Sequence, residues 1–221
     1  MKISLLVPTL GERELEFKRL LDSLVKQTYK NFEVVVISQN NHKIFSTQCA
    51  TYKDSLEIRH ITSKVKGLSL SRNIGLREAL GDIIILSDDD CWYPENALQT
   101  IQEEFCAHSE IDVLLTQIYD PISGCLYKNY EKNAKKLTKA TNLLSRSSIE
   151  LAFYKDSNLF FDELFGLGAT YVAGEENDYL INCLKANKRI VYKPVVTVYH
   201  EKKNNKESSA QLQAKGAFYA K

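Results

Sequence analysis

The sequence lacks the features that would assign it to several specialised classes of protein. Its five cysteines are odd in number, widely spaced and without a CxxC pair, which argues against a disulfide framework and against a zinc cluster. With four prolines and nine glycines in 221 residues, no linker rich in either divides the chain. A chain of this length forms one large domain or at most two, and we expect reduced thiols in a cytoplasmic protein.

An excess of charge of one sign and a long apolar run are also absent. The 29 lysines and arginines nearly balance the 28 aspartates and glutamates, for a net charge of +1, so we expect no nucleic acid as a partner. The first residues, MKISLLVPTLGERE, pass from a short apolar run to an acidic segment, which indicates a first strand and neither a signal peptide nor a membrane span. Any ligand must therefore be bound by a local cluster of side chains.

The apolar pattern alternates between strands and helices over the first 118 residues. Continuous apolar runs, typical of strands covered on both faces, lie at residues 3–7, 34–37, 83–86 and 113–118, with a weaker strand pattern at 54–61. Helical stripes lie at residues 17–25, 69–80 and 94–105. Within the second helix we expect Leu80 in the core and Gly81 just past the C-terminus. The alternation predicts an α/β fold, a mostly parallel, doubly wound sheet with helices on both faces.

Polar residues follow three of these strands. Pro8 and Thr9 come after the first strand, Ser38 and Gln39 after the second, and three aspartates at residues 88–90 after the strand at 83–86. In a sheet of this kind ligands bind beyond the carboxyl ends of the strands. The three groups are therefore predicted to share one rim and one ligand site.

Three consecutive carboxylates, Asp88, Asp89 and Asp90, need an explanation because like charges repel. Two carboxylates about 4 Å apart repel by roughly 4 kcal/mol at an effective dielectric constant near 20, so a positive group is expected among them. One interpretation is that they cap the helix predicted near Pro94. The other is that they bind a divalent cation with oxygen ligands, magnesium or manganese.

A second acidic group, Glu175, Glu176 and Asp178, precedes another helical stripe. Acids in a first turn complement the helix dipole, and this structural role is one interpretation. The other is a general base, because a carboxylate beside a metal and a bound anion can accept a proton from an incoming hydroxyl. Both interpretations stay open from the spacing.

Four segments, in order, resemble a known family. They are VPTLGERELEFKRLLDSLVKQTYKNFEVVVIS, GLSLSRNIGLREALGDIIILSDDDCWYPENAL, FFDELFGLGATYVAGEENDYL and VYH, and they extend from Ile3 to His200. Together they resemble a family 2 glycosyltransferase of the GT-A fold, of the bacterial polysaccharide type. A sugar nucleotidylyltransferase would instead need a glycine-rich phosphate loop after the first strand, which this chain lacks.

The resemblance implies roles for the acids and for their cationic neighbours. Asp88 and Asp90 match the two acids of an Asp-x-Asp motif, the first near the ribose and the last on a metal that bridges the diphosphate, and Asp89 lies beside the donor sugar. His200 resembles a histidine that approaches this metal, although a histidine satisfied at a strand end is the alternative. Residues implied to contact the donor are Pro8, Thr9, Ser38, Gln39, Arg72 and Asn73.

The resemblance also places the catalytic base in the second acidic group. Glu176 occupies the position of the family's Asp, with Glu175 and Asp178 beside it, so the choice between Glu175 and Glu176 stays open. One departure concerns the nucleotide: the family commonly has an Asp after the second strand that reads uracil, whereas this chain has Ser38 and Gln39 there. A UDP-sugar is the expected donor.

The implied activity is a metal-dependent, inverting transfer of a sugar from a nucleotide-diphosphate sugar to an acceptor hydroxyl. The acceptor would be a saccharide or a lipid-linked saccharide in bacterial surface polysaccharide synthesis, reached from the cytoplasmic face of the membrane by peripheral association. A noncatalytic nucleotide-sugar or metal-binding module and a scaffold of a polysaccharide assembly complex are the alternatives.

The same resemblance implies a division of one domain into two halves and a tail. Residues 1–118 form the nucleotide-sugar-binding half, and residues 119–200 form the half that binds the acceptor and carries the base. Residues 201–221 form a polar tail, for which both a complete and a truncated chain are considered.

Overall fold

The structure is a computed structural model that describes residues 1–202 and 208–220, so the predicted tail lies partly outside the described residues. The strands are β1 (Ile3–Thr9), β2 (Phe32–Ser38), β3 (Ile58–Thr62), β4 (Ile83–Leu86), β5 (Val113–Asp120), β6 (Cys125–Leu126), β7 (Lys135–Leu137), β8 (Leu151–Tyr154) and β9 (Ile190–Tyr199). The helices are α1 (Glu14–Val25), α2 (His42–Thr51), α3 (Leu68–Glu78), α4 (Ala97–Ala107), α5 (Glu175–Lys185) and α6 (Ser209–Ala220).

Within the described residues the strands form one sheet, in the order β3-β2-β1-β4-β8-β5-β9-β7, with β6 paired to β5. The pairs β3-β2, β2-β1, β1-β4 and β5-β9 are parallel, as the alternating pattern predicts. β8 enters between β4 and β5 and is antiparallel to both. The expected α/β sheet with helices on both faces is confirmed, and the boundary proposed at residue 118 lies inside β5, a strand of the same sheet.

Helices cover both faces of the sheet, which explains the continuous apolar runs. In β1, Ile3, Leu5 and Val7 pack in the core on the α1, α2 and α4 face, whereas Leu6 packs in the core on the α3 and α5 face. Each such fully buried side chain contributes about 1.5 to 3 kcal/mol of transfer free energy. The two cores hold the strand ends in register and therefore fix the rim above them.

Two expectations for the first half are wrong in detail, and one helix was not predicted. α2 was not predicted because, of its residues, Phe45 and Cys49 alone are buried, too few for a helical stripe. α3 ends at Glu78, so Leu80 is 63% exposed and not part of the core. Gly81 is not a helix cap: a Cβ there would lie 2.6 Å from Ser4 Oγ, so this glycine permits a close approach to β1.

None of the helices that the structure describes is long and apolar enough to cross a membrane.

Candidate active site

The carboxyl ends of β1, β2 and β4 and the first turns of α3 and α5 surround a cavity of about 480 Å³. The elements come from both halves of the chain, so the sheet order brings distant segments together at one rim. Ten of the sequence-predicted site residues line this cavity, namely Pro8, Thr9, Gln39, Arg72, Asp88, Asp89, Asp90, Glu175, Glu176 and His200.

Three other predicted site residues do not line the cavity. The Ser38 hydroxyl lies between two imidazoles, 2.7 Å from His42 Nδ1 and 2.8 Å from His60 Nε2. The Asn73 amide donates to the Phe161 carbonyl and accepts from its backbone N–H, which ties α3 to the segment before α5. Asp178 is buried in the first turn of α5, where it accepts a hydrogen bond from Asn182.

Cationic side chains explain how the fold tolerates the three aspartates. Arg13 Nη1 lies 2.9 Å from Asp89 and 2.8 Å from Asp90, and His200 Nε2 lies 3.2 Å from Asp90. Arg72 Nη2 lies 3.5 Å from Asp88. The capping interpretation is wrong, because α4 begins only at Ala97 and the aspartates face the cavity.

The surroundings of Asp88 and Asp89 raise the pKa of both carboxyl groups. Burial raises the pKa of Asp88, and the nearby Asp90 and Glu175 add to this effect, while Arg72 opposes it. Burial also raises the pKa of Asp89, although the Thr9 hydroxyl donates a hydrogen bond to it at 2.6 Å. Burial and the mutual repulsion of the carboxylates therefore disfavour the charged forms of Asp88 and Asp89, and an added cation would favour those charged forms.

His200 is coupled to this cluster. Burial disfavours its charged form, but the hydrogen bond and the negative charge of Asp90 outweigh burial, so the pKa of His200 is raised. Its other ring nitrogen, Nδ1, lies 2.8 Å from the Glu201 carbonyl oxygen. The ring is thereby held with Nε2 towards Asp90.

Arg72 is more deeply buried than an exposed helix residue would be. Its side chain is 1% exposed, and Nη1 donates to Glu175 at 3.0 Å. Arg72 thus links an aspartate at the end of β4 with the first turn of α5, over a sequence separation of 103 residues between Arg72 and Glu175. The guanidinium is a structural bridge across the cavity wall.

This bridge gives Glu175 and Glu176 different environments. Glu175 is paired with Arg72, whereas no side-chain ion pair joins Glu176 to another described residue, and its carboxyl group lines the cavity. Burial, and then the charge of Glu175, raise the pKa of Glu176 to about 8. A carboxyl group that titrates near neutral pH is suited to exchange a proton with a ligand.

The side chains at this rim provide some, but not all, of the ligands that a divalent cation needs. Among residues 1–202 and 208–220, no cluster of three or more histidine, cysteine, aspartate or glutamate side chains is placed to hold a metal ion. The Asp90 carboxylate and the His200 imidazole, 3.2 Å apart, are hard and borderline ligands that magnesium or manganese accepts. A cation here would take its remaining ligands from a bound anion and water.

Sequence reasoning missed several residues that line the cavity. Arg13, Lys66 and Gln211 have no motif around them that would mark them. The expectation of a positive group among the aspartates was the one available signal for Arg13, and the fold supplies it from the loop after β1.

The fold places the chain in a structural class. It superposes on S. aureus TarS, residues 1–349, in complex with UDP-GlcNAc, with a TM-score of 0.72 and 21% identity, over 93% of this chain and 60% of that chain. It also superposes on the mannosyltransferase PcManGT of Pyrobaculum calidifontis in complex with GDP-Man and Mn2+, with a TM-score of 0.65 and 16% identity, over 92% and 58%. The chain therefore has the GT-A fold.

Similarity in sequence assigns the chain to one family within this fold class. The sequence profile of Glycosyl transferase family 2 matches residues 4–163. An uncharacterized glycosyltransferase of Haemophilus influenzae is 26% identical over 199 residues, 86% of this chain and 65% of the relative. The glycosyltransferase YwdF of Bacillus subtilis, also uncharacterized, is 25% identical over 73% of this chain and 62% of its own length. This chain belongs to glycosyl transferase family 2, and it spans less than two thirds of the length of these relatives.

Proposed function

We propose that the chain transfers a sugar from a nucleotide-diphosphate sugar to an acceptor hydroxyl, with inversion at the anomeric carbon. The observation that carries this proposal is the cavity that joins the aspartate cluster of β4 to Glu176, a carboxyl group of raised pKa. The aspartate cluster suits the leaving diphosphate, through a bound cation, and Glu176 suits the acceptor hydroxyl that loses a proton. Glycosyl transferase family membership supports the same activity.

In the proposed reaction the acceptor oxygen forms a bond to the anomeric carbon while the bond from that carbon to the diphosphate oxygen breaks. Glu176 takes the proton of the acceptor hydroxyl, and the electron pair of the broken bond leaves with the diphosphate. The attack comes from the face opposite the leaving group, and inversion follows. Arg72 holds the first turn of α5, and hence Glu176, against the donor side of the cavity.

Asp90 and His200, with Asp88 nearby, are the residues that would hold magnesium or manganese. A divalent cation bound there would offset negative charge on the departing diphosphate. Thr9 and Arg13 hold the Asp89 carboxylate in place, and Arg13 also pairs with Asp90.

The nearest alternative is a noncatalytic module that binds nucleotide sugars or a metal, or a scaffold of a polysaccharide assembly complex. Such a module needs the aspartates but has no use for a cavity-facing carboxyl group of raised pKa, which therefore favours the enzyme.

For the whole protein we propose a saccharide or lipid-linked saccharide acceptor, cytoplasmic location and work at the inner face of the cell membrane in bacterial surface polysaccharide synthesis. The proposal rests on the family and on its relatives in bacteria. A UDP-sugar is the first donor to test, since UDP-GlcNAc is the ligand in the TarS complex.

The test is a thermal-shift screen of nucleotide sugars with and without manganese. A ligand that binds only the folded chain increases its free energy of unfolding, by about 2.7 kcal/mol when the ligand is in hundredfold excess over the dissociation constant. The melting temperature rises as a result. We expect at least one nucleotide-diphosphate sugar to raise the melting temperature, and to do so more with manganese. A screen in which no nucleotide sugar shifts the melting temperature under either condition contradicts the proposal.

A further inference from the structure

Arg13 lies against the two carboxylates of Asp89 and Asp90, beside which the proposed function would place a divalent cation. Its Nη1 is 2.9 Å from Asp89 Oδ1 and 2.8 Å from Asp90 Oδ2. The other oxygen of Asp90, Oδ1, lies 3.2 Å from His200 Nε2. Both oxygens of Asp90 therefore already face a nitrogen of the chain, and a cation that binds Asp90 must compete with one of these contacts.

The position of Arg13 at the start of α1 is unfavourable for a cation. Arg13 is the N-cap residue of this helix, and its side chain forms no hydrogen bond that caps it. The N-terminus of a helix carries partial positive charge, which disfavours a cation, and serine, threonine, aspartate or asparagine is the usual residue at the N-cap. The ion pairs with Asp89 and Asp90 offset this unfavourable placement. Arg13 is thus explained by the aspartates and not by the helix.

Arg13 can leave the aspartates without disturbing the core, which distinguishes it from Arg72. The Arg13 side chain is 46% exposed, whereas that of Arg72 is 1% exposed. Exposed ion pairs add little to stability, so the exchange of one partner for another costs little. Arg13 also lines a second cavity, of about 310 Å³, which Glu16 and Glu201 line as well. The second cavity therefore offers the guanidinium other carboxylates when it leaves Asp90.

We propose that Arg13 is a displaceable counter-ion, which pairs with Asp89 and Asp90 in the free chain and weakens the binding of a divalent cation until it leaves Asp90. This inference rests on the proposed function and specifies how its cation site is regulated. A divalent cation alone must displace the guanidinium. A nucleotide diphosphate lowers this cost, because it offers the guanidinium another anionic partner in the same cavity. Arg13 therefore favours binding of the cation together with the donor over binding of the cation alone.

The experiment measures the affinity of the chain for manganese without nucleotide, from the electron paramagnetic resonance signal of the free ion. It compares the wild type with Arg13→Gln, which removes the charge and keeps a polar side chain at a half-exposed position. We expect Arg13→Gln to bind manganese about fivefold more tightly or better, because the cation no longer competes with the guanidinium for Asp90. Arg13→Lys keeps the charge and should return the affinity to within about threefold of the wild type.

Lys18→Gln is the matched control, since it removes one positive charge from α1 at a lysine that pairs with Asp22 and lines neither cavity. Its affinity for manganese should lie within about twofold of the wild type. A gain of less than about twofold in Arg13→Gln, or an Arg13→Lys chain that binds manganese as tightly as Arg13→Gln, overturns the role of Arg13 alone. If neither the wild type nor Arg13→Gln binds manganese even with UDP, the metal dependence in the proposed function is overturned as well.

Discussion

Glu176→Gln is expected to lower sugar transfer by roughly 10²- to 10⁴-fold, the range that a positioned general base contributes. Glutamine has nearly the same shape but cannot take the acceptor proton. Because Glu176 forms no side-chain ion pair in the described structure, binding of the donor should change little. Single-turnover transfer assays and calorimetry of the donor on the same variant separate these two effects. Full turnover in Glu176→Gln would show that the base is assigned wrongly.

The same variant is expected to be more stable than the wild type at pH 8. The folded chain holds a proton on Glu176 up to a pKa of about 8, whereas the unfolded chain releases it near the ordinary value of about 4.3. Between these two values the free energy of unfolding falls as the pH rises, and above pH 8 the loss is complete. Glutamine does not ionise, so the Glu176→Gln variant keeps the free energy of unfolding that the wild type loses. We expect this difference to be roughly 1 to 3 kcal/mol, because the side chain is only partly buried and solvent reduces the effect.

Urea denaturation of the wild type and of Glu176→Gln at pH 4 and pH 8 measures this effect. The two proteins should have similar stability at pH 4 and differ at pH 8. Glu175→Gln is the contrasting variant, because it breaks the ion pair with Arg72 and should be less stable than the wild type at pH 8. A Glu176→Gln protein that is less stable than the wild type at pH 8 would contradict the environment described for this carboxyl group.

Arg72→Met is expected to lower the free energy of unfolding by about 3 to 5 kcal/mol, because it removes one partner of a buried ion pair. Methionine fills much of the volume of the arginine stem but leaves Glu175 without its 3.0 Å partner. Equilibrium denaturation at pH 8 measures the loss. The donor affinity should fall as well, since Asp88 loses the cation 3.5 Å away.

The double variant Arg72→Met, Glu175→Gln is the control for this prediction. Glu175 then carries no unpaired charge, although Asp88 still lacks the Arg72 cation. The double variant should recover at least half of the stability that Arg72→Met loses, since an uncharged pair can replace a buried ion pair at little cost. If Arg72→Met loses less than about 1 kcal/mol, or if the second substitution recovers nothing, the ion pair is not the source of the stability.

The strands of the first half could be predicted because burial on both faces leaves a continuous apolar run. β1, β2, β4 and β5 each carry such a run, and the parallel pairing among the first three follows from the helices between them. The insertion of β8 between β4 and β5 could not be predicted, because its four residues carry no information about which strands they pair with.

The chemistry of the site could be predicted only as far as composition and order allow. The aspartates were identified because three adjacent like charges need a cation. Which of Glu175 and Glu176 is held in an ion pair depends on Arg72, which lies on another helix. The position of Arg13 among the aspartates likewise depends on a contact between distant segments, with Asp90.

The central claim is that the three aspartates serve a divalent cation and a diphosphate together, and calorimetric titration of UDP tests it most directly. The titration is run on the wild type with manganese and with a chelator, and on Asp90→Asn, which keeps the side-chain shape but removes the charge. We expect binding with manganese, at least tenfold weaker binding with the chelator, and a similar loss in Asp90→Asn. Affinity for UDP that is unchanged by the chelator and by Asp90→Asn would contradict the claim.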